Sequence, residues 1–471
     1  MRDFVETWVE RNREELIRVS DSVWEAAELG LVERKSAAVS QEYLRSQGFS
    51  VETGVGNMET AFVATWGKGK PVIGFLGEFD ALPGLSNAPV PYPSPLGKNK
   101  PGHGCGHNLL GAAAMGGAIA LKAFAEANGL EGTVKYYGTP AEESSFGKTW
   151  MVKAGAFDDA DIVLTWHPGS TNGTDKTSSL ADLVYKFDFY GKTAHAAGDP
   201  WNGRSALDAV ELMNDGIERM REHIRPDSRI HYVITRGGGA PNVVPDYAQN
   251  FFDIRAKDME ELDRMWQWVE QIAKGAAMMT QTRVEPRFLG GAANLILNDV
   301  IIDTFQEILE ELGPVQWTAE ELEFAGKMQA QFDRHLIEQS IEQLRKQIPD
   351  LRETRLCSVI MPGDPEEKPG RGSTDVADVS WVVPTGQFRT ACYTLGIPGH
   401  SWGVTACGGM SIGHKGMLLA AKTLGIAGAR FLTDPGLRQA AWDEFKKRLN
   451  GKTYRSPIPE GIDTPPLPFE E

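Results

Sequence analysis

Apolar residues recur every three to four positions over residues 3–20 and 34–48, which predicts two amphipathic helices near the start of the chain. Residues 51–66 alternate and contain glycine, like a strand pair. Residues 71–77 form a short continuous apolar run, the pattern of a strand buried on both faces. A turn at 78–84 and a Pro/Asn/Ser/Gly-rich loop at 85–103 follow. A small-residue helix is then predicted over 109–127, a strand over 133–138, a helix over 146–156 and an apolar strand over 161–166. This strand–helix alternation predicts an α/β layer fold with a central mixed sheet and helices on both faces. In such sheets, sites collect where strands end and loops begin.

The pattern changes at residue 183. Period-two alternation over 183–190 precedes a helix at 206–222, strands at 230–235 and 247–255, a helix at 259–278 and an extended run at 283–289. That β-α-β-β-α-β order predicts a ferredoxin-like α/β sandwich inserted at 183–292. The chain is therefore read as a discontinuous domain over 1–182 and 293–450, the inserted domain, and an extended Pro-rich acidic tail over 451–471. Residues 299–312, 318–347 and 413–431 read as helices of the first domain.

The 471 residues include 48 Lys+Arg against 64 Asp+Glu, a net charge of −16. That balance argues against a nucleic-acid or anionic-membrane surface. The four cysteines, Cys105, Cys357, Cys392 and Cys407, form no C-x-x-C pair and suit reduced thiols. No signal-peptide pattern is visible at the start, and the apolar run 109–121 is short of a ~20-residue membrane span. A cytoplasmic location is expected.

The chemistry gathers in three strand-end segments. Gly102-His-Gly-Cys-Gly-His-Asn108, Gly138-Thr-Pro-Ala-Glu-Glu-Ser144 and Trp166-His-Pro168 bring a thiol, imidazoles and paired carboxylates within about sixty residues. Cys105 and His107 alternate in an extended segment, so both can reach one ion. Of adjacent Glu142 and Glu143, one can bind metal while the other accepts a proton from water. His167 and His414 lie in loops or helix starts that suit ligands. His195, in Gly191-Lys-Thr-Ala-His-Ala-Ala197, belongs to the inserted domain and reaches a site only across a cleft or from another subunit. Arg255 and Asn242, from the same domain, could bind a substrate carboxylate and carbonyl. Gly409-Met-Ser-Ile-Gly413 matches the nucleophile-elbow pattern, but no downstream acid–histidine order follows it. A cysteine hydrolase using Cys105 with His107, or a non-catalytic subunit that keeps the fold, are the readings from other classes.

As a set, Gly-Cys-Gly-His-Asn, Thr-Pro-Ala-Glu-Glu, Trp-His-Pro, Gly-Lys-Thr-Ala-His-Ala and the late His414 resemble the dinuclear metallopeptidases that include aminoacylase, carboxypeptidase G and the indole-acetyl-amino-acid hydrolases. Gly77-Glu-Phe-Asp-Ala-Leu-Pro-Gly84 and Gly372-Ser-Thr-Asp-Val-Ala-Asp-Val-Ser-Trp381 resemble the aminobenzoyl-glutamate hydrolase branch. The resemblance implies an amidohydrolase of N-acyl or N-aroyl amino acids, p-aminobenzoyl-glutamate among them, with other acyl-amino acids or dipeptides as alternatives. It implies two divalent ions, zinc or manganese, held by Cys105, His107, Glu143, His167 and His414. Glu142 would be the general base, Asp80 would orient a ligand, and His195 would polarise the scissile carbonyl from the partner of a homodimer. A second, different subunit is a further implied partner. Relatives carry aspartate where this chain has Asn108, and shorter ones lack the 318–347 helical segment.

Overall fold

The alternating stretches of the first half come together in one sheet. The computed structural model describes residues 1–467. Six strands lie in the order β1 (Ser50–Thr53), β2 (Phe62–Lys68), β4 (Gly132–Thr139), β3 (Val72–Glu78), β5 (Ile162–Leu164) and β11 (Thr385–Gly386). β3, β4, β5 and β11 are parallel, while at one edge β2 pairs antiparallel with β4 and β1 antiparallel with β2. Every residue of β3 is buried, as its unbroken apolar run predicts.

Alternation sorts the side chains between two cores. Ile73 and Phe75, Val134 and Tyr136, and Ile162 and Leu164 face the core shared with the helices His107–Asn128 and Ser411–Thr433. Leu76, Tyr137 and Val163 face the opposite core, with Trp150 and Met151 of the helix Gly147–Lys153. The helix His107–Asn128 packs closely on β3: a Cβ at Gly111 would come within 2.7 Å of the Glu78 carbonyl oxygen. This helix is long and apolar enough to cross a membrane, yet 89% of its most apolar window is buried inside the protein. It is the central core helix.

Residues Ala181–Ala292 form a second, fully antiparallel sheet of four strands. Its order is β10 (Arg283–Ala292), β7 (Ala181–Tyr190), β9 (Tyr247–Ala256), β8 (Arg229–Arg236). Leu183, Tyr185, Phe187 and Phe189 alternate along β7 and pack in one core with Val210 and Met213 of the helix Ala206–Arg221 and Met265 and Val269 of the helix Met259–Thr280.

Several expected elements are divided. Asn12 splits the first helix into Arg2–Arg11 and Arg13–Ala26, and the 318–347 segment is two helices, Ala319–Gln329 and Arg334–Gln347. The strand expected over 161–166 ends at Leu164. The chain then re-forms as β6 (His167–Gly169), paired in parallel with β12 (Arg389–Ala391). Thr165 and His167 N–H groups donate to the Gly386 and Phe388 carbonyls, so one continuous ladder carries the chain past the sheet's edge. The tail to residue 467 has no helix or strand, as expected, but it is docked. The Tyr454 hydroxyl donates to Asp378 Oδ1 at 2.7 Å, Ile458 is buried, and Asn57 Nδ2 donates to the Asp463 carbonyl. The last four positions of the expected tail lie outside the described residues.

Candidate metal centre

Four strand-end and loop segments converge at the C-terminal ends of the parallel strands. β3 ends in Glu78 and leads to Asp80, both buried. The helix His107–Asn128 begins beside them, entered through Gly106 at φ +82°, a left-handed conformation that favours glycine. The turn after β4 carries Glu142 and Glu143. It is anchored by buried Glu33, whose Oε1 accepts the Ala141 N–H at 2.8 Å.

Hydrogen bonds fix which nitrogen of each histidine faces inward. His107 Nδ1 donates to Asp80 Oδ1 at 2.8 Å, and Asp80 Oδ2 accepts the Glu143 N–H at 2.9 Å. His167 Nδ1 donates to the Pro168 carbonyl at 2.8 Å. In both rings Nε2 is then left for a metal, with the outer hydrogen bond holding the tautomer. His167 Nε2 lies 3.3 Å from Cys105 Sγ. His107 Nε2 is 3.1 Å from Glu78 Oε2. Yet His107 Nε2, Glu78 Oε2 and Glu143 Oε1 are buried without a hydrogen-bond partner.

Three sets of donor atoms each fall within 4.8 Å of one another: Cys105–His107–His167, Cys105–Glu143–His400 and Glu78–His107–Glu142. Burial disfavours a charged His107, but Cys105, Glu78 and Asp80 around it hold its pKa well above the ordinary value. Burial raises the Cys105 thiol. Burial, followed by the charges of Glu78, Glu143 and Asp375, raises Glu142 far above the usual carboxylate range. A cluster that must hold protons to limit its negative charge is one that divalent cations fit, and a thiol beside unpartnered imidazole and carboxylate atoms is the matching donor set.

The structure thus gathers Cys105, His107, Glu143, His167, Glu142 and Asp80. It corrects His414. That residue opens the helix Ser411–Thr433, whose Ile412 points into the core. Two positions on, His414 turns away and pairs with Asp21 Oδ1 at 2.8 Å. His400 stands at the cluster instead, with Nε2 3.3 Å from Glu143 Oε1. The Pro-Gly-His stretch before the helix Trp402–Gly408 was its only signal. Glu78 was legible in principle, because it shares a strand face with Asp80 two residues on.

Lys148 carried no signal. It is fully buried, with Nζ 2.6 Å from both Glu78 Oε1 and Asp375 Oδ1. Asn108 stands apart from the ligands: its Nδ2 donates to Ser20 Oγ and the Gly408 carbonyl, bonds an aspartate could not donate.

The residues expected from the inserted segment divide. Arg255 lines the cavity but is occupied, with Nε and Nη2 on Asp253 at 2.9 and 2.8 Å and Nε 3.2 Å from Asp182. The expected carboxylate-binding Arg255 thus reaches the cavity already paired with two aspartates of its own sheet. His195 and Asn242 are exposed and sit together, through a His195–Val243 bridge and an Ala196 N–H bond to the Asn242 carbonyl. Neither lines the cavity of about 530 Å³ that opens beside the donor cluster.

Peptidase family M20/M25/M40 matches residues 74–339. The chain is 40% identical over 474 residues to a p-aminobenzoyl-glutamate hydrolase subunit of Escherichia coli (strain K12), covering 98% of both chains. An aminobenzoyl-glutamate utilization protein from Klebsiella pneumoniae has the same mixed α/β fold, at TM-score 0.60 and 19% identity over 90% of this chain and 98% of that one. So does a dinuclear metal-binding peptidase of the M20 family from Bacillus subtilis, at TM-score 0.55 and 16% identity over 90% and 99%.

Proposed function

Because the chain belongs to peptidase family M20/M25/M40 and is a metal-dependent hydrolase of amide bonds, we propose that it cleaves the amide of N-acyl or N-aroyl amino acids, with p-aminobenzoyl-glutamate as the reference substrate. The observation that carries this reading is the pair of donor trios sharing Cys105, beside a protonatable Glu142. The substrate follows the name of the Escherichia coli relative.

Cys105, His107, His167, Glu143 and His400 are the proposed holders of two divalent ions. Thiolate and imidazole favour zinc, and carboxylate leaves room for manganese. Such ions, when bound, polarise the scissile carbonyl and ease ionisation of the attacking water.

Glu142 takes the proton from that water and delivers it to the leaving amine. Its burial and its acidic neighbours favour the protonated form needed for the second transfer. Asp80 keeps His107 in its working tautomer and tethers the Glu143 backbone.

His195 supplies a hydrogen bond to the carbonyl oxygen. Its Nδ1 accepts the Ala197 and Gly198 N–H groups at 3.2 and 3.0 Å, so its proton sits on Nε2, free to donate as oxyanion charge develops. As His195 and Asn242 lie outside the cavity of their own chain, the site is completed by His195 of the partner subunit in a homodimer. The 183–292 segment acts as a ferredoxin-like lid and dimerisation domain within the 1–182 and 293–450 catalytic domain, in a cytoplasmic enzyme. Exposed Val233 and Ile234 on β8 support pairing along that strand.

The test is turnover of p-aminobenzoyl-glutamate by the purified, metal-loaded chain. Expected are cleavage, complete loss with a chelator and recovery with zinc or manganese. Chelator-resistant cleavage that is lost on thiol alkylation would reverse the reading in favour of a Cys105 nucleophile.

A further inference from the structure

The cavity beside the donor cluster holds two guanidinium groups that have no strong acidic partner. Its acids are otherwise committed. Glu78 pairs with Lys148, Asp182 with Arg255, and Glu142 and Glu143 belong to the donor cluster. Arg371 and Arg389 also line it. Among the described residues, Arg371 has no ion pair or hydrogen bond from its side chain. Among the same residues Arg389 has one loose partner, Asp175 Oδ2 at 3.6 Å from Nε, which leaves its two terminal nitrogens unbonded. In a chain of net charge −16, one unpaired and one loosely paired cation beside a catalytic cleft set the sign of what enters it.

Arg389 is also held firmly. It lies on β12 directly opposite His167 of β6, in parallel register, so the two side chains emerge on one face of strands ~4.8 Å apart. Gly173 clamps its backbone from the other side, each N–H donating to the other's carbonyl at 2.9 and 3.0 Å. Its stem packs over Gly169, where an added Cβ would meet the Arg389 Cβ and Cδ at 3.4 and 3.5 Å. Only the charged end is left to act. Arg371 approaches from the loop tied to 176–180 by the Lys368 N–H to Lys176 carbonyl and Leu180 N–H to Gly372 carbonyl bonds.

We propose that Arg389, assisted by Arg371, is a specificity-determining residue that binds the side-chain carboxylate of a dicarboxylic amino acid in the substrate. This rests on reading the adjoining cluster as an amide-hydrolase site. A planar guanidinium with both terminal nitrogens free makes the two parallel N–H···O bonds that a carboxylate accepts. The selected class is N-acylated glutamate or aspartate over the corresponding amides or apolar amino acids.

The test compares Arg389→Met with wild-type holoenzyme on N-aroyl-glutamate and its N-aroyl-glutamine isostere. The ratio of kcat/KM for the glutamate over the glutamine substrate is expected to fall on the order of 10–100-fold, mainly through KM. Arg389→Lys is expected to restore part of it. Equal loss on both substrates, or an unchanged ratio, would overturn the proposal.

Should wild-type enzyme cleave neither substrate, the hydrolase reading fails and the anion site is tested by itself. Glutarate and its monoamide are titrated calorimetrically against the metal-loaded protein. A glutarate preference that Arg389→Met abolishes sustains the subsite, and no preference in wild type removes it.

Discussion

His400 Nε2 stands 3.3 Å from Glu143 Oε1, which makes the loop leading into the helix Trp402–Gly408 the source of the proposed fifth donor. His400→Ala is expected to lower bound metal from two ions per chain towards one, with affinity for the lost ion down at least ~10–100-fold. His414→Ala breaks only the contact with Asp21. It is expected to keep both ions and lose ~1 kcal/mol of stability. Elemental analysis of the two variants side by side decides the assignment, and full metal content in His400→Ala would return the fifth position to another residue.

Glu142 and Glu143 are neighbours with different surroundings. Glu143 faces Cys105 and His400, while Glu142 faces Glu78 and His107. Glu142→Gln is therefore expected to retain both ions and lose at least ~10²–10⁴-fold in kcat, the range of a general acid–base group. Glu143→Gln is expected to lose metal as well. Rates and metal content measured on the same preparations separate the two roles, and near wild-type turnover in Glu142→Gln would end the assignment.

What the sequence made legible follows from locality. Cys105, His107, Glu142, Glu143 and His167 each sit in a short motif at a strand end, and alternation with turn chemistry predicts both the strand and the exit point. The order of strands and helices over Ala181–Ala292 was legible for the same reason. His400 and Lys148 were not, because their roles depend on contacts across hundreds of residues. Lys148 acquires meaning only when Asp375, 227 positions on, folds against it. Arg389 is similar: β12 is three residues long and exists because β6 pairs with it. His414 misled for the converse reason, since a plausible loop histidine has no periodicity to show which way its helix turns it.

Lys148, at zero side-chain exposure, is the one cation among the described residues that joins Glu78 and Asp375. Removing one member of a buried charged set leaves the others uncompensated, which costs about 3–5 kcal/mol. Lys148→Met should show a loss of that size in urea unfolding of the chelated protein. Adding Asp375→Asn should recover part of it, because one of the stranded carboxylates is then neutral. A single-variant loss under ~1 kcal/mol would mean that the two acids already hold protons when Lys148 is gone.

His195 lies outside the cavity of its own chain, so two defective subunits should complement each other. In the proposed homodimer, the His195→Ala and Glu142→Gln parents are each expected to be nearly inactive. After mixing under conditions that exchange subunits, hybrids carry one site with both groups intact, and activity should rise well above either parent. Persistent inactivity in mixtures with verified exchange would confine His195 to a role within its own chain.

Asp378 links the tail to stability through pH. Its Oδ1 accepts the Tyr454 hydroxyl at 2.7 Å and its Oδ2 the Ala293 N–H at 3.1 Å. Burial nevertheless dominates and pushes its pKa from 3.8 up to about 7. The folded state therefore holds a proton that the unfolded chain releases between those two values. Its contribution is fully present below about pH 4 and is lost as pH rises through about 7, a swing on the order of a few kcal/mol. Asp378→Asn cannot ionise, so the wild type should lose stability relative to this variant between pH 4 and 8. Urea midpoints of both chelated proteins across that range test it. Parallel profiles would show that the Tyr454 and Ala293 donors keep the carboxylate ionised despite its burial.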